Sequence, residues 1–156
     1  MKRRRMFFAL AAGIALTLAL APSASARGCS NASLKGTFSD KDTGWIDGVG
    51  TFVGVNLDTF DGNGNMTQNG FASLNGTVVP NQGSFTYTVN PDCTGSAQIS
   101  FPILPHGTSG AVITLMFVIG DGGRSIHTIV SSLTPPNSTT PVPANIHSDA
   151  VKVSGD

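Results

Sequence analysis

The sequence contains no glutamate, and its 156 residues include only two cysteines, one tryptophan and one tyrosine. Without Glu, any site that pairs two carboxyl groups must be built from Asp alone. No G-x-S-x-G segment occurs, which removes the nucleophile elbow of the α/β-hydrolases. Helix formers such as Leu and Lys are sparse beyond residue 26, and no apolar stripe of helical period runs through that part, so a helical bundle is excluded. Basic residues are few as well. Setting aside Lys2 and Arg3–Arg5, five basic residues stand against nine Asp, a net charge of −4. Nucleic acid as a partner needs a basic face, which this chain lacks.

What is present begins with an export signal. Residues 1–26 read MKRRRMFFALAAGIALTLALAPSASA. Lys2 and Arg3–Arg5 form a cationic head, Met6–Leu20 is an uncharged, mostly apolar run of 15 residues, and Ala24-Ser25-Ala26 is an A-x-A cleavage pattern. A spanning helix needs ~20 apolar residues, so this segment reads as a secretory signal peptide cleaved near Ala26. The expected mature chain is one domain, residues 27–156, secreted or periplasmic and without a transmembrane segment. In an oxidising compartment its two Cys are expected to pair. A Cys29–Cys93 bridge closes a loop of 64 residues, worth ~4 kcal/mol in the chain-entropy picture.

Gly, Thr, Ser, Asn and Val are plentiful, and segments of two-residue alternation follow one another. The expected strands are Leu34–Ser39, Val49–Phe60, Met66–Leu74, a segment through Phe85, Tyr87 and Val89, another through Ala97, Ile99 and Phe101, then Ala111–Ile119, Ser125–Leu133 and Ile146–Val153. Turn residues separate them. Gly120-Asp121-Gly122-Gly123 suits a hairpin with Asp-Gly as its central pair, and Thr134–Asn145 is a Pro-rich irregular loop. Strands without intervening helices predict an all-β fold, a single antiparallel meander closing into a barrel of about eight strands, which leaves no open edge. A β-sandwich is the alternative. The inward positions are expected to be apolar: Val53, Val55, Leu57, Phe85, Tyr87, Ile99, Phe101, Ile113, Leu115 and Phe117.

The stretch Thr59–Gly70, TFDGNGNMTQNG, sets Asp61, Asn63 and Asn65 at every second residue, as a calcium loop begins. An EF-hand-type loop then needs a Gly and a bidentate Glu, where this chain has Met66 and Ala72. Gly62 and Gly64 suit the positive φ of a sharp turn, so a turn between two strands is expected.

Three segments resemble, as a block, motifs of a group of small exported bacterial β-proteins. They are Cys29-Ser30-Asn31-Ala32-Ser33-Leu34-Lys35-Gly36 (C-S-x-x-S-L-x-G), Asp61-Gly62-Asn63-Gly64-Asn65 (D-G-x-G-N) and Tyr87-Thr88-Val89-Asn90-Pro91-Asp92-Cys93-Thr94-Gly95 (Y-x-V-x-x-D-C-T-G). The resemblance covers most of Cys29–Phe101 and implies export, the Cys pair and a β fold; it carries no activity. The meander is also loosely similar to barrels of the lipocalin and allene-oxide-cyclase or dirigent kind, from which no catalytic residue transfers.

Three His occur, His106, His127 and His147. If the last two strands pair across the Pro-rich loop, His147 lies opposite Ser132, roughly 16 Å from His127 at ~3.3 Å per residue. They cannot share a metal at that distance, and neither metal nor cofactor is expected. The densest acidic group, Asp40, Asp42 and Asp47, reads as a solvated loop at one barrel end. There Trp45 either plugs the barrel or offers a stacking face, with Asp42 and Asp47 accepting hydrogen bonds from a sugar or other polar ligand. Trp45, Asp42 and Asp47 are therefore the candidate binding residues, and no residue is assigned a catalytic role. The expected function is that of an exported, non-enzymatic barrel, either an envelope or matrix component or the binder of a small apolar or sugar ligand. The alternative is a barrel enzyme of the cyclase or isomerase kind, which needs a cavity with a few buried polar groups. The expected inward residues are bulky and only Tyr87 adds a hydroxyl, which favours a filled core.

Overall fold

The computed structural model describes residues 28–100 and 110–154. The expected signal peptide, Phe101 and His106 lie outside these. One turn of 3-10 helix, Asn31–Leu34, leads into eight strands: β1 (Gly36–Ile46), β2 (Gly50–Phe60), β3 (Asn65–Leu74), β4 (Thr77–Val89), β5 (Thr94–Ser100), β6 (Val112–Gly120), β7 (Ser125–Thr134) and β8 (Ala144–Ser154). Each strand pairs antiparallel with the next and β8 returns to β1, so the sheet closes into a barrel rather than a sandwich.

The turns β2–β3, β4–β5 and β6–β7 gather at one end, and the N-terminal segment caps that end. Cys29 is bonded to Cys93 in the β4–β5 turn, and the Cys29 N–H donates to the Pro91 carbonyl at 3.1 Å. The Asn31 side chain accepts from the Val89 N–H at 2.8 Å, while the Tyr87 hydroxyl donates to the Asn31 carbonyl. Leu34 points into the barrel and is 0% exposed. In the β2–β3 turn, Asp61 Oδ1 accepts from the Asn63 and Asn65 N–H groups, and Asn65 Nδ2 donates to Asp61 Oδ2 at 2.7 Å. That carboxylate organises a turn through its own loop. Gly62 and Gly64 have φ of 79° and 107° and pack against Lys35 and Asn31. The three segments that carry the resemblance thus meet at the capped end.

Two registers differ from expectation. A hairpin with Asp121-Gly122 as its two-residue turn sets Phe117 opposite Ile126, but the β6–β7 connection uses four residues, 121–124, and Phe117 lies opposite Thr128. A slip of two residues preserves which side chains face inward, and Ile113, Phe117 and Ile126 are all buried. In β7–β8, His147 lies opposite Ile129, not Ser132, and His127 opposite Asp149. The loop before β8 folds back, bridging Leu133 to Val142, and this consumes the length that a plain hairpin would have given to pairing. Both His are on the outer wall, where His127 Nδ1 meets Asp149 Oδ1 at 2.6 Å.

The largest correction concerns β2. Val53, Val55 and Leu57 face outward, 46%, 56% and 50% exposed, while Gly54, Asn56 and Asp58 face the lumen. The parity of a strand is one choice for its whole length, and the ends of β2 decide it. Phe60 packs edge-on against Phe38 and Tyr87, with ring centroids 5.2 Å apart in both pairs. Phe52 also joins the core. Anchoring both phenyl rings inside turns the three aliphatics out and carries two polar side chains in.

Candidate functional site in the barrel lumen

The same parity rule operates on β1. Phe38 and Ile46 are buried at its two ends, so Asp40 and Asp42 between them also face inward. The segment read as a solvated loop is instead a strand, paired on both sides along its length. Around the barrel, β2 adds Asn56 and Asp58, β3 adds Gln68, β4 adds Asn81 and β8 adds Ser148, all buried. The middle of the lumen is a polar layer between apolar ends.

A hydrogen-bonded line crosses this layer. Asn81 Nδ2 donates to Asn56 Oδ1 at 3.0 Å, and Asn56 Nδ2 donates to Asp42 Oδ2 at 2.7 Å and, more weakly, to Asp40 Oδ2 at 3.5 Å. The layer depends on glycine for space. A Cβ on Gly54 would run into the Asp42 carboxyl, and one on Gly70 into Asn56. Thr128 and Ser148 share a hydrogen bond of 2.6 Å on β7 and β8, where Ser148 lies opposite Asp42. Neither Asp40 Oδ1 nor Asp58 Oδ1 meets a donor among the described residues, although both atoms are buried.

Burial dominates the electrostatics. It pushes the Asp58 carboxyl up to about 8, and the charges of Asp40 and Asp42 add to the effect. Asp42 also rises to about 8, first through burial and then through its neighbour Asp40. Asp40 is raised by burial, and the polar groups of Asp42, Ser148 and Asn56 offset part of that rise. Taking a carboxylate out of water disfavours its charged form, and like charges nearby disfavour it further. At neutral pH Asp42 and Asp58 are therefore held protonated. All three carboxyls line one cavity of about 60 Å³, whose other walls include Leu34, Phe60, Phe85 and Phe117.

The three candidate binding residues do not come together. Asp42 belongs to the lumen. Trp45 is on the outer wall near the end of β1, 46% exposed, beside Thr51 and Asn145, and does not plug the lumen. Asp47 is exposed in the β1–β2 turn. Trp45→Ala is accordingly expected to lower stability by about 1 kcal/mol, against ~3–5 kcal/mol for a buried Trp. Urea unfolding measures this, and a loss in the core range would contradict the placement. Asp58, Asn56, Asn81 and Gln68 were missed because each sits among residues that look like the outer face of an amphipathic strand. The available signal was the spacing of Phe52 and Phe60, which share parity with Asn56 and Asp58.

No family model and no curated protein matches the chain. Among solved structures, the barrel is similar to an S-type phycobiliprotein lyase, CPES, from Guillardia theta, with a TM-score of 0.50 and 6% sequence identity over 81% of this chain and 92% of that one. At that identity the likeness is one of fold: an eight-stranded antiparallel barrel.

Proposed function

We propose that this chain is an exported, non-enzymatic barrel that holds a small ligand in its lumen. The observation that carries the reading is the pair of buried carboxyl oxygens, Asp40 Oδ1 and Asp58 Oδ1, on residues that line the cavity, neither of which meets a donor among the described residues. A buried polar group without a partner is costly, so folds keep few of them outside functional sites. Export is supported by the leader pattern of residues 1–26 and by the Cys29–Cys93 bridge, which belongs to oxidising compartments. That a phycobiliprotein lyase uses a similar barrel supports reading the lumen as a binding space.

Size narrows the ligand. Sites for drug-sized molecules occupy ~300–1,000 Å³, several times the cavity of about 60 Å³ found here. The guest has a few heavy atoms, with a polar head at the carboxyls and any apolar part against Phe60, Phe85 and Phe117. A sugar stacked on Trp45 is not favoured, because Trp45 and Asp42 lie on opposite sides of the wall. One observation keeps the cyclase or isomerase alternative in view: Asp40 and Asp42 are neighbouring carboxyls inside the lumen, both raised by burial, and such pairs can divide acid and base roles.

The test is a thermal-shift screen of small polar and amphiphilic molecules against protein secreted from the full gene, with ligand recovered and weighed by mass spectrometry. At least one compound is expected to raise the melting temperature, to lose that effect in Asp58→Asn, and to be recovered unchanged. Recovery as an isomer favours the enzyme. A shift that persists in Asp58→Asn places binding elsewhere and removes the proposal.

A further inference from the structure

We infer that the ligand of this lumen is a small primary ammonium ion with a short apolar tail, held by Asp40, Asp42 and Asp58 in exchange for protons. The inference rests on the ligand-binding reading above and names the ligand class for the same site.

Charge is the first argument. Among the described residues that line the cavity there are three carboxyl groups and no Lys, Arg or His. The nearby basic side chains are directed elsewhere. Lys41 on β1, His127 on β7 and His147 on β8 are exposed on the outer wall, as is Asp149, and Lys35 and Arg124 are exposed at the capped end. Lys152 is half-buried near the end of β8, opposite Phe38, and does not line the cavity. Tyr87, on β4, is the other titratable group facing inward, and its hydroxyl is engaged by the Asn31 carbonyl. Among the described residues the acidic layer has no internal counter-ion.

Donor and acceptor chemistry is the second. Asp40 and Asp58 are 7% and 6% exposed, and each brings to the cavity an oxygen that has no donor among the described residues. A primary ammonium has three N–H donors and no acceptor, whereas an ionised carboxylate accepts only. The two match. A neutral apolar guest leaves both oxygens unpaired. An alcohol or sugar hydroxyl brings an acceptor as well as a donor and no charge to offset the carboxylates. A metal ion is disfavoured, since among the described residues no group of three His, Cys, Asp or Glu has the geometry to hold one.

Shape is the third. Asp40, Asp42 and Asp58 come from the adjoining strands β1 and β2, and Leu34, Phe60, Phe85 and Phe117 are among the apolar residues that line the same cavity. An amphiphilic cation has its head and its tail placed by the same small space.

Without a guest, protons neutralise the layer, because Asp42 and Asp58 are both pushed up to about 8. An entering cation displaces them. Linkage then requires the affinity to rise with pH below that value, about tenfold per pH unit for each proton released.

The experiment uses the secreted, disulfide-bonded protein and calorimetric titration with n-propylammonium chloride, n-propanol as its neutral counterpart, and calcium chloride. Released protons are counted in a pH-stat. Binding of n-propylammonium is expected to strengthen about tenfold per pH unit per proton between about pH 6 and about pH 8, with protons released. Asp58→Asn is expected to weaken it at least ~10-fold without lowering the melting temperature, whereas Asp149→Asn, on the outer wall, leaves it unchanged. If n-propanol binds as well and no proton is released, the cation inference falls while the ligand-binding reading stands. If neither binds, the cation inference falls and the lumen loses its support as a binding space. Calcium binding tighter than n-propylammonium, or ammonium binding that survives Asp58→Asn, also overturns it.

Discussion

Raising the pH from about 4 to about 8 is expected to weaken this fold, and Asp58→Asn is expected to remove much of that weakening. Asp42 and Asp58 have folded-state values near 8 against 3.8 for the free side chain. Across this window the unfolded chain has released its protons while the folded chain keeps them. Folding therefore binds protons, and stability is full below about 4 and declines as the pH climbs to about 8. The slope is at most ~1.4 kcal/mol per pH unit for each group. Global stabilities are only ~5–15 kcal/mol, so the effect is a large fraction of the whole. An amide at position 58 keeps the shape and has no proton to lose. Urea unfolding at about pH 5 and about pH 8 should show the wild-type midpoint falling between the two, and the variant's midpoint falling less and ending higher. A wild-type midpoint that rises across the window would mean that the carboxylates are ionised and compensated inside the barrel, and the electrostatic account would be wrong.

Loss of the disulfide is the second large effect expected. Replacing Cys29 and Cys93 together by Ala is predicted to cost about 4 kcal/mol through the entropy of a 64-residue loop. The N-terminal cap should suffer more than the barrel wall. Its remaining ties are the Asn31 contacts to β4 and the insertion of Leu34, and these hold a segment that would otherwise behave as a free terminus. Hydrogen exchange separates the two parts. The Val89 amide, bonded to the Asn31 side chain, is expected to lose protection in the double variant under native conditions. Ladder amides between β1 and β2 should keep protection up to the lowered global limit. An unchanged urea midpoint, or equal loss of protection everywhere, would show that the bridge does not tether a separable cap.

The buried carboxyls work against stability, and the bridge and cap work for it. Such opposition is common where a site is maintained at the expense of the fold. Here the three segments that carry the resemblance build the cap, whereas every member of the polar layer lies outside them. Asp40, Asp42, Asn56 and Asp58 come from β1 and β2, Gln68 and Asn81 from β3 and β4, and Ser148 from β8.

The sequence by itself determined an all-β meander of about eight strands, the Cys29–Cys93 pair and the turn at Asp61–Asn65, and it favoured closure into a barrel over a sandwich. All of these are local or forced: two-residue alternation, glycine at positive φ, two Cys with no competitor, and edges that must be paired. It did not determine which face of a strand points inward. On β2, Val53, Val55 and Leu57 make the apolar face, and hydrophobicity read alone puts them inside. Only the tertiary structure shows that Phe52 and Phe60 at the strand ends outweigh them, because each phenyl fits a space among side chains from other strands and the three aliphatics between them have no such space. The same holds for Asp40 and Asp42, which look like a solvated loop until Phe38 and Ile46 are both seen to be buried. A strand has one parity and a closed barrel has one interior. The inward face is therefore settled by the fit of a few large side chains across the whole barrel, and the buried carboxyls follow from that fit.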